Sequence, residues 1–303
     1  MPDYRLTHAV TDLEGEPLLA AGTRLTGRFM ETFISARPIP INPRRLLEYR
    51  QVRSDLLEFI RAAPYDVILA PAARQEALLN IAGDVFMPER ILASLYRFRD
   101  LEFYTYRHTL LVFALSILIA RELIDEKATL IQEVMAGPTH DLGKLCVPLE
   151  ILTKKTALTA SEHEHVKHHV LAGYTLVSLY FQDPAILAAR VARDHHERRD
   201  GSGYPLGIRI NNPMIDIVMV CDIYDALISP RPYRPVAYDN RSALEEMIRQ
   251  ANAGAISETV ARVLIALNRR SQPHFSSCVI SAEQRGAPPT GNVYGTTTDD
   301  STD

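Results

Sequence analysis

At 303 residues the chain exceeds a typical single domain, and its content of 47% hydrophobic and 23% charged residues excludes a disordered or fibrous protein. With 33 basic against 37 acidic residues the net charge is -4, which supplies no global field for a nucleic-acid polymer or an anionic membrane. The three cysteines, Cys146, Cys221 and Cys278, are scattered without a CxxC pair, which excludes a disulfide framework and a thiolate zinc site and makes a reducing cytoplasm the expected setting.

In chain order, residues 1–85 mix short apolar runs with turn signals such as Glu14-Gly15-Glu16-Pro17 and Asn42-Pro43, and the run Tyr65 to Ala70 predicts a short strand. This segment is read as a small mixed α/β module with a regulatory or interaction role, homodimerisation among them. The opening residues have neither a basic start nor an apolar signal core, so secretion is not indicated. From Met87 onward Gly and Pro become sparse and apolar residues recur at helical spacing, which predicts a mainly α domain over 86–284. The apolar stretch Leu110 to Ala120 is too short to span a membrane and predicts a buried helix. Thr159-Ala-Ser-Glu162 has the capping-box pattern, and Asp183-Pro184 and Asn212-Pro213 each predict an N-cap followed by the first helical residue. On the helix opened by Asn212, Asp222, Asp225 and Ser229 fall three to four residues apart, on or near one face. Residues 285–303 carry no apolar period and predict a disordered tail.

The chemistry is concentrated in histidine. Eight of the ten (His108, His140, His163, His165, His168, His169, His195 and His196) lie between positions 108 and 196, where an even spread would place about three. Neutral imidazole is the commonest metal ligand, so the cluster points to a metal site, a proton relay or both. His140 stands beside Asp141 and just ahead of Gly143-Lys144, and His195-His196 precedes Glu197 and the loop from Asp200 to Pro205. Mixed imidazole and carboxylate donors without thiolate suit iron first, then manganese. His165 and His169, at i and i+4, could both face a metal, and the spacing alone does not choose between them.

The blocks His140-Asp-Leu-Gly-Lys144, His195-His-Glu-Arg-Arg-Asp-Gly-Ser-Gly-Tyr-Pro205 and Asp222-Ile-Tyr-Asp-Ala-Leu-Ile-Ser-Pro-Arg-Pro-Tyr-Arg234 resemble the signature blocks of the HD-GYP family, a branch of the HD phosphohydrolases; Tyr106-Arg-His108 and His169-Val-Leu-Ala-Gly173 resemble two more. The resemblance covers roughly residues 95–270. It implies an HD-type helical bundle and hydrolysis of the bacterial messenger cyclic di-GMP to pGpG and, in many members, GMP. It also implies two divalent metal ions held by His108, His140, Asp141, His169, His195, His196 and Asp222, with Asp141 bridging them. His169 is favoured over His165 because only it matches the HxxxG block.

The resemblance further assigns the scissile phosphate to Lys144, with Asp141 and Lys144 as the catalytic pair, and the ligand side to Tyr204, Asp225, Arg231 and Arg234. Members with three metals place a glutamate four residues before the first histidine; here that position is Tyr104, a poor ligand at neutral pH, which implies two metals. Three departures from the family pattern stand out. Pro138 should kink the helix before His140, the late Gly-x-x-Phe-Asp-Pro element is reduced to Gly254-Ala-Ile-Ser-Glu258, and Pro230 replaces the usual aspartate. These leave two rivals to the phosphodiesterase reading, a cyclic di-GMP receptor that has lost turnover and a general nucleotide phosphohydrolase.

Overall fold

The computed structural model describes residues 4–69, 71–230, 236–271, 273–281 and 285–289. The chain opens with four short strands, β1 (Tyr4–Arg5), β2 (Val10–Thr11), β3 (Pro17–Leu19) and β4 (Arg24–Leu25), paired antiparallel as β1 with β4 and β2 with β3. The β2–β3 turn closes because Asp12 Oδ1 accepts N–H bonds from Glu14 and Glu16 and Gly15 adopts a φ of +90°, which a side chain would resist. There follow α1 (Gly27–Ser35), β5 (Pro43–Arg45), α2 (Val52–Arg61), α3 (Asp66–Leu69), α4 (Ala72–Ala82) and β6 (Phe86–Pro88). Strand β6 pairs back onto β5, with Pro43 opposite Pro88, so residues just past position 85 complete a ladder begun in the first segment.

The strand predicted for residues 65–70 is, over its described residues, a single helical turn. Tyr65, Ile68 and Leu69 are buried while Asp66 and Val67 are exposed, a spacing of three and four that fits a helix and not a strand. The turn is fixed where the Tyr65 carbonyl accepts the N–H groups of Ile68 and Leu69.

The rest of the chain is helical: α5 (Glu89–Leu101), α6 (Phe103–Arg121), α7 (Lys127–Val134), α8 (Leu149–Leu152), α9 (Ala160–Lys167), α10 (His169–Phe181), α11 (Leu187–Asp194), α12 (Pro213–Ile228), α13 (Asn240–Asn252) and α14 (Glu258–Leu267). Three of these, α6, α10 and α12, are apolar around nearly their whole circumference and therefore form the centre of the bundle. Helix α6 extends eight residues beyond the apolar stretch read from sequence, and with 19 residues it is long and apolar enough to cross a membrane; most of it is buried in the core. Its start is set by Glu102, whose carboxylate accepts the N–H groups of Tyr104 and Thr105.

Other helix starts follow their sequence signals unequally. Asn212 caps α12 through Met214 N–H and Ile215 N–H with Pro213 at the first position, and Thr159 and Glu162 form the capping box of α9. Asp183 instead closes an Asx turn by accepting Ala185 N–H, and α11 begins later, at Leu187. Around Pro138 the chain does not kink a continuing helix: α7 has already ended at Val134, and Gly137–Thr139 forms a separate 3-10 turn. Of the tail, Arg285 and Gly286 donate N–H bonds to Glu245 on α13, and residues 290–303 lie outside the described residues.

Candidate metal centre

The seven residues assigned to metal binding converge in the middle of the bundle. His108 comes from α6, His169 from the start of α10 and Asp222 from α12. His140 and Asp141 sit between two 3-10 turns, Gly137–Thr139 and Leu142–Cys146, and His195 and His196 follow the last residue of α11. Five separate elements thus aim polar groups into one apolar core. Groups so placed must satisfy one another or a bound cation.

The donors divide into two clusters. Ligand atoms of His108, His140 and Asp222 lie within 4.8 Å of one another, and so do those of His169, His195 and His196. Asp141 stands between them: Oδ2 is 3.4 Å from the Nε2 atoms of His108 and His140, and Oδ1 is 3.5 Å from His169 Nε2. Asp222 also reaches both ways, with Oδ1 3.2 Å from His108 Nε2 and Oδ2 3.9 Å from His196 Nδ1. The far nitrogens are fixed from behind. Nδ1 of His140 faces Gly137 O at 2.7 Å, that of His169 faces Val166 O at 2.6 Å, and that of His195 faces the carbonyls of Val191 and Ala192 at 3.1 Å. A carbonyl can only accept, so Nδ1 carries the proton in each and Nε2 presents its lone pair to the centre. The set could hold two divalent cations.

The electrostatics agree with that chemistry. Burial depresses His169 to a pKa of about 4, and burial together with its neighbours His140 and His169 takes His195 to about 3, so both are neutral donors at pH 7. Burial, aided by the neighbouring His195, likewise holds His196 well below its ordinary value. Burial opposes charge on Asp141, but Lys144 and His140 outweigh it and keep the carboxyl well below the usual range. Asp222 is held low in the same way, against burial, by His108 and His196.

The residues assigned to substrate are placed less uniformly. Lys144 Nζ lies 2.6 Å from Asp141 Oδ2, at the edge of the centre. It also borders a cavity of about 630 Å³ between the first strands, α5 and α8, which none of the seven donors lines. The Tyr204 ring lies against His196, with centroids 4.7 Å apart and planes 18° apart. Asp225 is fully buried, and its oxygens are taken up by His108, Tyr65 and Ser229 behind the donors. Arg231 and Arg234 lie outside the described residues.

Histidines outside the assigned donor set also make contacts within the protein. His165 stacks on His8 at 3.6 Å, and His168 is buried beside His8 and Thr7, so they join the first segment to the bundle. Sequence reasoning also missed Glu197 and Tyr65. The buried Glu197 carboxylate accepts N–H bonds from Leu206 and Ile208 and so anchors the loop that presents Tyr204; its position directly after His196 was the available signal. Tyr104 stacks on His108, and Glu102 is committed to the α6 cap.

A family model described as an HD domain matches residues 97–260. The chain belongs to the HD domain family. Its sequence blocks resemble those of the HD-GYP branch of that family. Similar proteins include one named cyclic di-GMP phosphodiesterase from Thermotoga maritima, 34% identical over 63% of this chain and 51% of its own length. A second, cyclic di-GMP phosphodiesterase PA4108 from Pseudomonas aeruginosa, is 33% identical over 61% of this chain and 45% of its own. A third, 3'3'-cGAMP-specific phosphodiesterase 3 from Vibrio cholerae, is 38% identical over 54% of this chain and 36% of its own. This HD domain protein spans about half the length, or less, of the relatives it matches.

Proposed function

We propose that this HD domain protein is a metal-dependent phosphodiesterase that hydrolyses cyclic di-GMP to pGpG, with GMP the product of any second cut. The observation that carries the reading is the pair of three-residue donor clusters joined by Asp141. It is supported by the names of two relatives, both cyclic di-GMP phosphodiesterases. In this reading His108, His140 and Asp222 hold one divalent ion, His169, His195 and His196 hold the other, and Asp141 reaches both. Iron is the first choice and manganese the second, because the donors are imidazole and carboxylate without thiolate.

When bound, such ions supply Lewis acidity to the phosphate and lower the pKa of water at the site. The chain's own residues do the rest. Lys144 offsets the negative charge of the phosphate as it redistributes, and Tyr204 offers a ring and a hydroxyl to the nucleotide. Arg231 and Arg234 are assigned bidentate phosphate contacts. Water adds at phosphorus, the ribose 3′ oxygen leaves and takes a proton, and the ring opens.

The test is metal analysis combined with product analysis on cyclic di-GMP and, in parallel, 3'3'-cGAMP. Two metals per chain and linear pGpG or GMP from cyclic di-GMP is the expected result. Cleavage of 3'3'-cGAMP alone would change the substrate, and tight binding without product would make the protein a receptor.

A further inference from the structure

His108 differs from His140, His169 and His195 in what stands behind it. His140, His169 and His195 lean on neutral backbone carbonyls, whereas His108 Nδ1 lies 2.6 Å from the carboxylate Oδ2 of Asp225. A carboxylate behind a ligating imidazole fixes the tautomer and raises the basicity of the nitrogen facing the metal. The other oxygen of Asp225 accepts the hydroxyl of Tyr65, and Ser229 Oγ, just past the end of the same helix, lies 2.7 Å from the Tyr65 hydroxyl and 3.4 Å from Asp225 Oδ1. Arg107, next to His108, closes the group: its Nη1 donates to Ser229 Oγ at 3.3 Å and its guanidinium lies 5.3 Å from the centre of the Tyr65 ring. Tyr65, Asp225 and His108 are all buried, so no solvent competes for these bonds. Tyr65 precedes the segment that the HD domain family model matches.

We propose that Tyr65 is a positioning residue for the metal centre: by holding Asp225, it sets the orientation and donor strength of His108 and thereby tunes the cluster of His108, His140 and Asp222 while leaving that of His169, His195 and His196 untouched. This rests on the reading of both clusters as metal sites. It makes the segment ahead of the family match part of the centre. Backbone bonds around Tyr65 keep it in place, with its N–H donated to Ala62 O and its carbonyl holding Ile68 and Leu69.

The test is titration of metal-free full-length protein with Co²⁺ against a competing chelator, resolved into two binding steps. Tyr65→Phe keeps the ring and removes the hydroxyl; it should weaken one step about tenfold and leave the other unchanged, and Asp225→Asn should weaken the same step by about 10- to 100-fold. The double variant should be no weaker than Asp225→Asn alone, because Tyr65 acts through that carboxylate. The d–d absorption of Co²⁺ in the weakened site should shift, which a general loss of stability would not produce. Unchanged steps in Tyr65→Phe, or equal weakening of both, would overturn the proposal. If Tyr65→Phe does not fold, Ser229→Ala is read for the same selective shift by the same criterion. Wild-type protein that binds no metal would instead overturn the phosphodiesterase reading.

Discussion

Gly143 and Gly173 meet backbone to backbone: a Cβ built on Gly143 would lie 2.4 Å from Gly173 N and 1.8 Å from the carbonyl oxygen of His169. This contact explains why position 143 is glycine, since any side chain there would strike the backbone of α10. It lets the Leu142–Cys146 turn sit directly on α10, so that Asp141 reaches His169.

Gly143→Ala therefore has no space for its methyl group unless that turn moves off α10. A loss of about 3 kcal/mol of stability is expected, together with loss of metal from the His169 cluster. Chemical denaturation and elemental analysis of the same sample check both.

Asp141 and Lys144 lie in contact but should separate by phenotype. Asp141→Ala removes the carboxylate shared by the two clusters and should bring metal content close to zero. Lys144→Ala should keep its metals and lower kcat by about 10² to 10³-fold, as removal of one group that stabilises transition-state charge does. Metal content and turnover measured on both variants make the check.

Glu197 holds the Tyr204 loop through two N–H bonds to a buried carboxylate. Glu197→Gln keeps the volume and loses the charge, which should cost about 1–3 kcal/mol. With Tyr204 less well held, KM for the cyclic dinucleotide should rise more than kcat falls. Steady-state kinetics and urea unfolding distinguish this from a defect in chemistry.

His168 gives a pH dependence. Burial and the neighbouring His8 depress its pKa to about 4 in the folded chain, against about 6.5 unfolded. The unfolded state thus binds the extra proton first, and the sign is fixed: its contribution is fully present above pH 6.5 and is lost as pH falls through the window from 6.5 towards 4. The contribution is on the order of 3 kcal/mol. His168→Asn stays neutral throughout, so the wild-type stability advantage should shrink between pH 7 and pH 5, as urea titrations at the two values would record.

Four of the seven assigned donors were legible because adjacency carries them: His140-Asp141 and His195-His196 are neighbours in the chain and need no folding to meet, whereas His108, His169 and Asp222 rested on the resemblance of their blocks. Helix starts at Thr159 and Asn212 were legible because a cap is a local bond. Tyr65 was not, since its partner Asp225 is 160 residues away and nothing in the run from Tyr65 to Ala70 separates a buried helical turn from a strand. The hydrogen bonds of Asp225 were not legible for the opposite reason. Asp225 shares a helix face with Asp222, yet one turn further on it lies behind His108, and only packing tells front from back.

The β5–β6 ladder and the buried contacts of Tyr65 have a bearing on cooperativity. Among the described residues, side chains from the first strands through α14 belong to one continuous apolar cluster, so the two parts of the chain share a core. Heating should give a single transition whose calorimetric and van 't Hoff enthalpies agree. A fragment starting at residue 97 would lose most of α5 and leave the apolar face of α6 that packs on α2 and α4 bare, and a stable fragment that retains cobalt at both sites is not expected.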